Sequence, residues 1–204
     1  MDVFDVKLDI MNNNTLSIAT AAGIYKSYDK GLSWEQSSDG LNDFYAYDIK
    51  IASSNPSIIY AAGREGIHRS NDGGKSWRYI GGSAAENLIA IDPTDPDVVY
   101  VAQVPIFIEY WLWKTEDGGL TWKRIFKSQT MFDFIEFDPE NSNTIYTRYQ
   151  DYNTNVLCKS TDRGETWELF NSPGPTSIIV SKKDNLVMYI GSFDGVYKTT
   201  DGGI

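Results

Sequence analysis

Apolar and polar positions along this chain alternate in short runs, and each run stops at Gly, Asn, Asp or Pro. Within one stretch, Tyr47 to Ile51, Ser57 to Ala61, Gly66 to Ser70 and Ser76 to Ile80 read as four strands joined by polar or Gly-containing connections. A period of two places alternate side chains on opposite faces of a pleated strand. No window longer than a turn carries helical spacing with caps, so strand is predicted throughout and helix almost nowhere.

The pattern repeats. Ser27-Tyr-Asp29-Lys-Gly31-Leu-Ser-Trp34, Ser70-Asn-Asp72-Gly-Gly74-Lys-Ser-Trp77, Thr115-Glu-Asp117-Gly-Gly119-Leu-Thr-Trp122 and Ser160-Thr-Asp162-Arg-Gly164-Glu-Thr-Trp167 are four octets of one form, and Thr199-Thr-Asp201-Gly-Gly203 opens a fifth. Their Asp residues lie 43, 45, 45 and 39 positions apart. A second phrase recurs out of phase, a polar turn running into a β-branched strand that ends on Tyr60, Tyr100, Tyr146 or Tyr189. Four short antiparallel strands repeated at this period describe the blade of an all-β propeller, whose neighbouring sheets cover each other's faces. The expected organisation is a single propeller segment over 1–204, with blades at about 1–38, 39–81, 82–127, 128–171 and an incomplete 172–204. Propellers close with about 4 to 8 blades, so a cut-off fifth copy implies part of a larger ring, with open edges free to self-associate.

The octet resembles the BNR or Asp-box repeat, and the resemblance covers essentially the whole chain. That superfamily includes sialidases, xyloglucan-cleaving endoglucanases, sortilin-type receptor ectodomains and photosystem II assembly factors, across which fold transfers far better than function. The resemblance implies a secreted or periplasmic protein. The N-terminal MDVFDVKLDI, acidic and alternating, carries no signal peptide.

Repetition sorts scaffold from site, because a site uses each residue once. Asp29, Asp72, Asp117, Asp162 and Asp201 stand where a hairpin between third and fourth strands needs acceptors for its turn N–H groups. Gly31, Gly74, Gly119 and Gly164 fit a left-handed position, and Trp34, Trp77, Trp122 and Trp167 are expected to begin the outer strand and pack on the hairpin or the adjacent blade. Two residues before each box lie Tyr25, His68, Trp113, Cys158 and Tyr197. The single His and the single Cys therefore fill a packing slot rather than a nucleophilic pair. Lys26, Arg69, Lys114, Lys159 and Lys198 follow, a basic slot suited to acidic partners on a neighbouring strand or turn. The acidic turns Asp92 to Asp97 and Asp138 to Asn141 recur as first-to-second-strand turns rather than as a calcium loop.

Composition narrows the function classes. With 18 Lys plus Arg against 28 Asp plus Glu and a net charge of -10, the chain repels a nucleic-acid backbone. No run approaches a membrane span, no motif points to a cofactor, and no metal site is expected.

What differs between copies is left for function: the second-to-third-strand connections and the crossovers between blades. Blade three carries Phe107, Glu109, Tyr110 and Trp111 there, blade four Arg148, Tyr149, Asp151 and Tyr152, and blade five Asp194. The crossovers add Asp39, Asn42, Asp43, Tyr45, Glu86 and Asn87, which with Arg64 and Glu65 are expected to line one end of a central channel. Arg64, Phe107, Tyr110, Trp111, Arg148, Tyr149 and Tyr152 are the expected ligand contacts, since aromatic faces beside charged groups suit a sugar or a peptide.

Glycoside hydrolysis needs two carboxyl groups about one bond; Glu65, Glu109, Asp151 and Asp194 are the candidates. The resemblance argues against the known activities. Sialidases add an Arg-Ile-Pro motif and three converging Arg residues, whereas this chain lacks the motif and offers only Arg64 and Arg148. Xyloglucan-cleaving relatives carry a catalytic Asp in the first blade, where Ala19 to Ile24 holds no carboxylate. The expectation is a noncatalytic propeller that binds a glycan, peptide or protein through its variable loops, with a fragment of a glycoside hydrolase as the alternative.

Overall fold

The structure, a computed structural model, describes residues 2–9, 12–41, 45–82, 87–103, 110–151, 155–170 and 172–203. It contains five antiparallel sheets and, among these residues, no helix. Sheet one is β1 (Val3–Leu8), β2 (Leu16–Thr20), β3 (Gly23–Ser27) and β4 (Glu35–Gln36). Sheet two is β5 (Ala46–Ile51), β6 (Ile59–Gly63), β7 (Gly66–Ser70) and β8 (Arg78–Gly81); sheet three is β9 (Asn87–Ile91), β10 (Val99–Gln103), β11 (Tyr110–Thr115) and β12 (Lys123–Ser128). Sheet four is β13 (Ile135–Phe137), β14 (Ile145–Gln150), β15 (Asn155–Ser160) and β16 (Glu168–Phe170), and sheet five is β17 (Pro175–Val180), β18 (Met188–Ser192) and β19 (Gly195–Thr199). Every sheet runs in sequence order, and the first strands β1, β5, β9 and β13 pack side by side, as in successive blades of a propeller.

Two strands start later than the alternation predicts, for the same reason. Ser57 and Ile58 belong to the turn, because their N–H groups donate to Asn55 Oδ1 (3.1 Å) and Asn55 O (2.9 Å). Ser76 is held in the box by Asp72 at 2.9 and 2.5 Å. The outer strand consequently opens one residue after each Trp, at Glu35, Arg78, Lys123 and Glu168, rather than on it.

No blade has a core of its own. Ala19 and Ile24 of blade one pack with Ile49, Ile59, Ala61 and Trp77 of blade two. Tyr60 and Ile67 of blade two meet Ile89, Val99 and Val101 of blade three, and the same arrangement repeats at the two remaining seams.

The box is the same device four times. In blade three the Thr115 hydroxyl donates to Asp117 Oδ1 (2.8 Å) and accepts from Gly119 N (2.9 Å), while Thr121 gives its N–H to Asp117 Oδ1 (2.9 Å) and its hydroxyl to Oδ2 (2.6 Å). These bonds satisfy turn donors that have no ladder partner. Gly119 sits at φ +91°, and a Cβ there would lie 2.6 Å from Ile80 of the preceding blade, so only Gly fits. The Trp nitrogen is used in two ways. Trp77 and Trp122 donate backwards to Ser37 O (2.8 Å) and Ile80 O (2.9 Å) of the preceding blade, whereas Trp34 and Trp167 donate to their own box carbonyls, Gly31 O (3.2 Å) and Gly164 O (3.1 Å).

The basic slot and the recurring tyrosine, read separately in the sequence, are cross-strand partners. Arg69 pairs in register with Tyr60, Lys114 with Tyr100, Lys159 with Tyr146 and Lys198 with Tyr189, each cation lying 5.5 to 5.8 Å from the ring centre. The group then reaches the next blade: Tyr60 OH donates to Pro96 O (2.8 Å), Tyr100 OH to Arg163 O (2.9 Å), and Arg69 to Gly118 O (3.2 Å). An acidic partner on a neighbouring turn is found for Arg69, which meets Asp97 at 2.6 Å, while Lys114 meets Glu116 of its own box at 2.6 Å. The first-to-second-strand turns are closed by their own carboxylates, with Asp92 accepting from Thr94 and Asp95 and Asp138 from Glu140 and Asn141.

Two predictions follow from these seams and boxes. Tyr100 is fully buried, so Tyr100→Ala should cost about 3–5 kcal/mol and Tyr100→Phe about 0.5–1.5 kcal/mol through the lost bond to the next blade, read from urea unfolding midpoints. The second concerns acid. Bonds from the Thr121 hydroxyl, the Thr121 N–H and the Thr115 hydroxyl lower Asp117 from 3.8 to about 2. A carboxylate lowered on folding stabilises fully above its unfolded pKa and loses that stabilisation as pH falls through the folded one. The Tm gap between wild type and Asp117→Ala should therefore hold from neutral pH down to about 5 and close between about pH 4 and 2, measured by scanning calorimetry. A gap that persists at pH 2 would show that the carboxylate charge is not what the box uses.

Candidate functional site

Antiparallel order puts the second-to-third connections and the crossovers at one end of every sheet, and the first turns and boxes at the other. The box end is repetitive and committed to structure. Among the described residues no group of three His, Cys, Asp or Glu could hold a metal ion.

The slot holding the single His and Cys is a packing slot. His68 lies in register with Ala61 and Tyr79, its ring 5.4 Å from the Tyr79 ring, and burial lowers its pKa to about 4. Cys158 is fully buried between Thr147 and Leu169, and burial raises its thiol to about 12. Neither group has the ionisation or the exposure of a nucleophile or base at neutral pH.

At the crossover end, Arg64 and Glu65 form the tip of the β6–β7 hairpin with exposed side chains, and Arg64 N donates to Tyr45 O (2.9 Å). Beside them lies an aromatic group that no single window reveals. Phe4 stands 5.1 Å from Tyr45 and 5.9 Å from Tyr47, the two tyrosines are 4.9 Å apart, and Phe4 is 43% exposed. β1 and β5 both start from this end, as the pairings Val3 with Thr20 and Ala46 with Gly63 require. The sequence did hold a signal, since Phe4-Asp5-Val6-Lys7 and Tyr47-Asp48-Ile49-Lys50 are copies of one phrase on the two inner strands.

The acidic residue of that phrase joins blades. Asp5 Oδ2 accepts from Ile49 N of blade two and Asp48 Oδ2 from Ile89 N of blade three, both at 3.1 Å, while Lys7 and Lys50 bond the other oxygens at 2.7 and 2.8 Å. Burial raises Asp48; for Asp5 burial is outweighed by hydrogen bonds from Asp48, Lys7 and Ile49, which lower it, so the two carboxyls are displaced in opposite directions. Neither residue is among the carboxylates singled out from the loops.

The remaining expected contacts divide. Arg148 is buried, ion-paired with Asp133 and donating to Met131 O at 3.1 Å, so its guanidinium clamps the crossover before β13. Tyr110 is half-buried against the core between blades three and four. Trp111 is half-buried under two cations, Arg124 at 5.2 Å and Lys127 at 5.5 Å from its ring. Tyr149 OH donates to Asp151 Oδ2 (3.2 Å), and in blade five Tyr197 OH donates to Asp194 (2.8 Å), which lowers the Asp194 pKa. Asp39 bridges to Ser76 through the backbone, and Asn87 opens β9. Asn42, Asp43, Glu86, Phe107, Glu109 and Tyr152 lie outside the described residues. Glu65 and Asp151 occupy the second-to-third-strand hairpins of blades two and four.

No protein-family model matches the chain, and no curated protein matches it in sequence. Solved structures do match. The chain superposes on an ancestral GH74 enzyme with a TM-score of 0.76 and 20% identity, over 92% of this chain and 27% of the enzyme. It superposes on the GH74 xyloglucanase from Xanthomonas campestris with a TM-score of 0.76 and 14% identity, over 97% of this chain and 36% of that one. YCF48 bound to a D1 peptide matches with a TM-score of 0.50 and 14% identity, over 98% of this chain and 78% of that one. This chain therefore spans well under half the length of those two GH74 enzymes, and what the likenesses share with it is the β-propeller fold.

Proposed function

We infer that this propeller segment is a noncatalytic binding module that recognises a glycan at its crossover end. The observation that carries the reading is the half-exposed Phe4, Tyr45 and Tyr47 group beside the exposed Arg64 and Glu65. Aromatic faces offer the flat apolar surface on which a sugar ring stacks, and charged groups at the rim supply directional bonds to hydroxyls. Likeness in fold to a xyloglucanase makes xyloglucan oligosaccharides the first ligands to try. The unlike loops of blades three and four extend the same end, with Tyr149 and Asp151 as their described contacts.

The second reading is a piece of a glycoside hydrolase, favoured by likeness to GH74 enzymes over almost the whole of this chain. Glu65, Glu109 and Asp151 are its acidic candidates. One experiment separates the two. Calorimetric titration with xyloglucan oligosaccharides should show binding that Phe4→Ala together with Tyr47→Ala weakens about tenfold, with the urea midpoint of the variant reported alongside, and no reducing ends should appear. Release of reducing ends that stops in Glu65→Gln or Asp151→Asn, with binding retained, would replace the binding module by the hydrolase. Absence of glycan binding, with titratable binding of a peptide instead, would transfer the site to a protein ligand.

A further inference from the structure

The outer strand of blade three departs from its counterparts. β4, β8 and β16 have 2, 4 and 3 residues, whereas β12 has 6. The slot that pairs Tyr25 with Gln36, His68 with Tyr79 and Cys158 with Leu169 here pairs Trp113 with Arg124, and the next pair on that face is Trp111 with Lys127. Arg124 and Lys127 are three positions apart and in a regular strand would point to opposite faces. A register shift between Leu112 and Trp113 absorbs Ile125 as a bulge, which turns both cations onto the face that carries the two indoles.

On that face the four side chains form a row. The Arg124 guanidinium lies 4.8 Å from the Trp113 ring centre and 5.2 Å from that of Trp111, and Lys127 Nζ lies 5.5 Å from the Trp111 ring. Among the described residues, each of the other cations set over a ring meets a single ring. Arg69, Lys114, Lys123, Arg148 and Arg163 are paired with carboxylates, but Arg124 is exposed and its partners are the two indoles. The opposite face of β12 is fixed in the seam with blade four, where Phe126 stacks on Trp167 at 4.7 Å. Blade three has a neighbour on each side, and β12 is the outer edge of its sheet. A guanidinium has weakly hydrated faces and five N–H donors in its plane. The indoles take the faces and hold the group in place, so the donors are left for a ligand at a reduced entropic cost.

We propose that this row is the docking site of an extended acidic segment of a protein partner, which adds along β12 with a carboxylate received by the fork of Arg124. Trp111 lies under two cations, so a sugar finds no bare ring face on which to stack. The net charge of -10 repels a polyanion, while a short acidic segment meets the local cations. The unpaired N–H and C=O groups of an edge strand suit a peptide backbone, and the side chains along it give selectivity. A second copy of β12 paired there would set Lys123, Arg124 and Lys127 against their own kind, so the charges that bar self-association favour an acidic strand.

The probe is the capped peptide Thr-Glu-Val-Glu-Val-Glu-Thr, whose glutamates share one face when extended, titrated calorimetrically into the full chain at low salt. Saturable one-to-one binding is expected, and it is lost when Lys replaces each Glu. Arg124→Ala should weaken it about tenfold. Arg124→Lys, which keeps the charge but not the planar fork, should weaken it about threefold, with urea midpoints reported for both variants. Arg78→Glu, on the exposed outer strand of blade two, should change the affinity less than about twofold. Methylating one alternate set of peptide nitrogens should weaken binding about tenfold, and methylating the other set should not. The proposal is overturned by absence of binding, by a loss in Arg78→Glu equal to that in Arg124→Ala, by Arg124→Lys that binds as wild type does, or by methylated peptides that all bind alike. Tighter binding of an oligogalacturonate than of the peptide, lost in Arg124→Ala, would also overturn it and assign the row to an acidic glycan.

Discussion

A four-stranded sheet has two faces and cannot hide either by itself, and everything else in this molecule answers that constraint. Each apolar cluster straddles a seam between two blades. Tyr60, Tyr100 and Tyr146 are the largest fully buried side chains at those seams. Burying a ring of this size is strongly favourable, but it forces a hydroxyl and a neighbouring cation out of water as well. The seam meets that demand with carbonyls of the next blade, which accept from the Tyr60 and Tyr100 hydroxyls and from Lys26 and Arg69. The same logic explains the outer faces of the array, where Val6, Leu8, Ile179 and Val196 occupy seam positions and are 47 to 76% exposed.

The boxes follow from the seams. A hairpin that places its glycine carbonyl where the preceding blade's cation can reach it must adopt a tight left-handed turn, and that turn leaves N–H groups with no ladder partner. One Asp and one Ser or Thr accept them, which is why the motif is invariant in type while the loops at the opposite end differ. The repeated boxes and the unlike loops thereby lie at opposite ends of each sheet. The crossover end is free to carry Phe4, Tyr45, Tyr47, Arg64 and Glu65 because no seam depends on their exposed surfaces.

The inner strands show how closely scaffold and site chemistry approach each other. Asp5 and Asp48 have pKa values moved in opposite directions, the signature often sought in an acid–base pair. Here each carboxylate is bonded to the backbone N–H of the next blade's inner strand, so the pair reads as a joint between blades one, two and three. The aromatic residues preceding these Asp residues, Phe4 and Tyr47, meet at the crossover end instead.

The sequence by itself determined the blade, its period, the box and the equivalence that reduces His68 and Cys158 to packing residues, because each of these is local or repeated and repetition is visible without coordinates. It also held the tyrosine and basic positions, but as two unconnected patterns, since pairing across strands is a matter of register. Only the tertiary structure decided that Arg148 is spent on Asp133, that Phe4 joins Tyr45 and Tyr47 from 41 and 43 residues away, and that the Trp nitrogens divide between their own box and the preceding blade. Each of those depends on which surfaces the curved array brings together, and a one-dimensional pattern carries no information on distance between elements that are far apart in the chain.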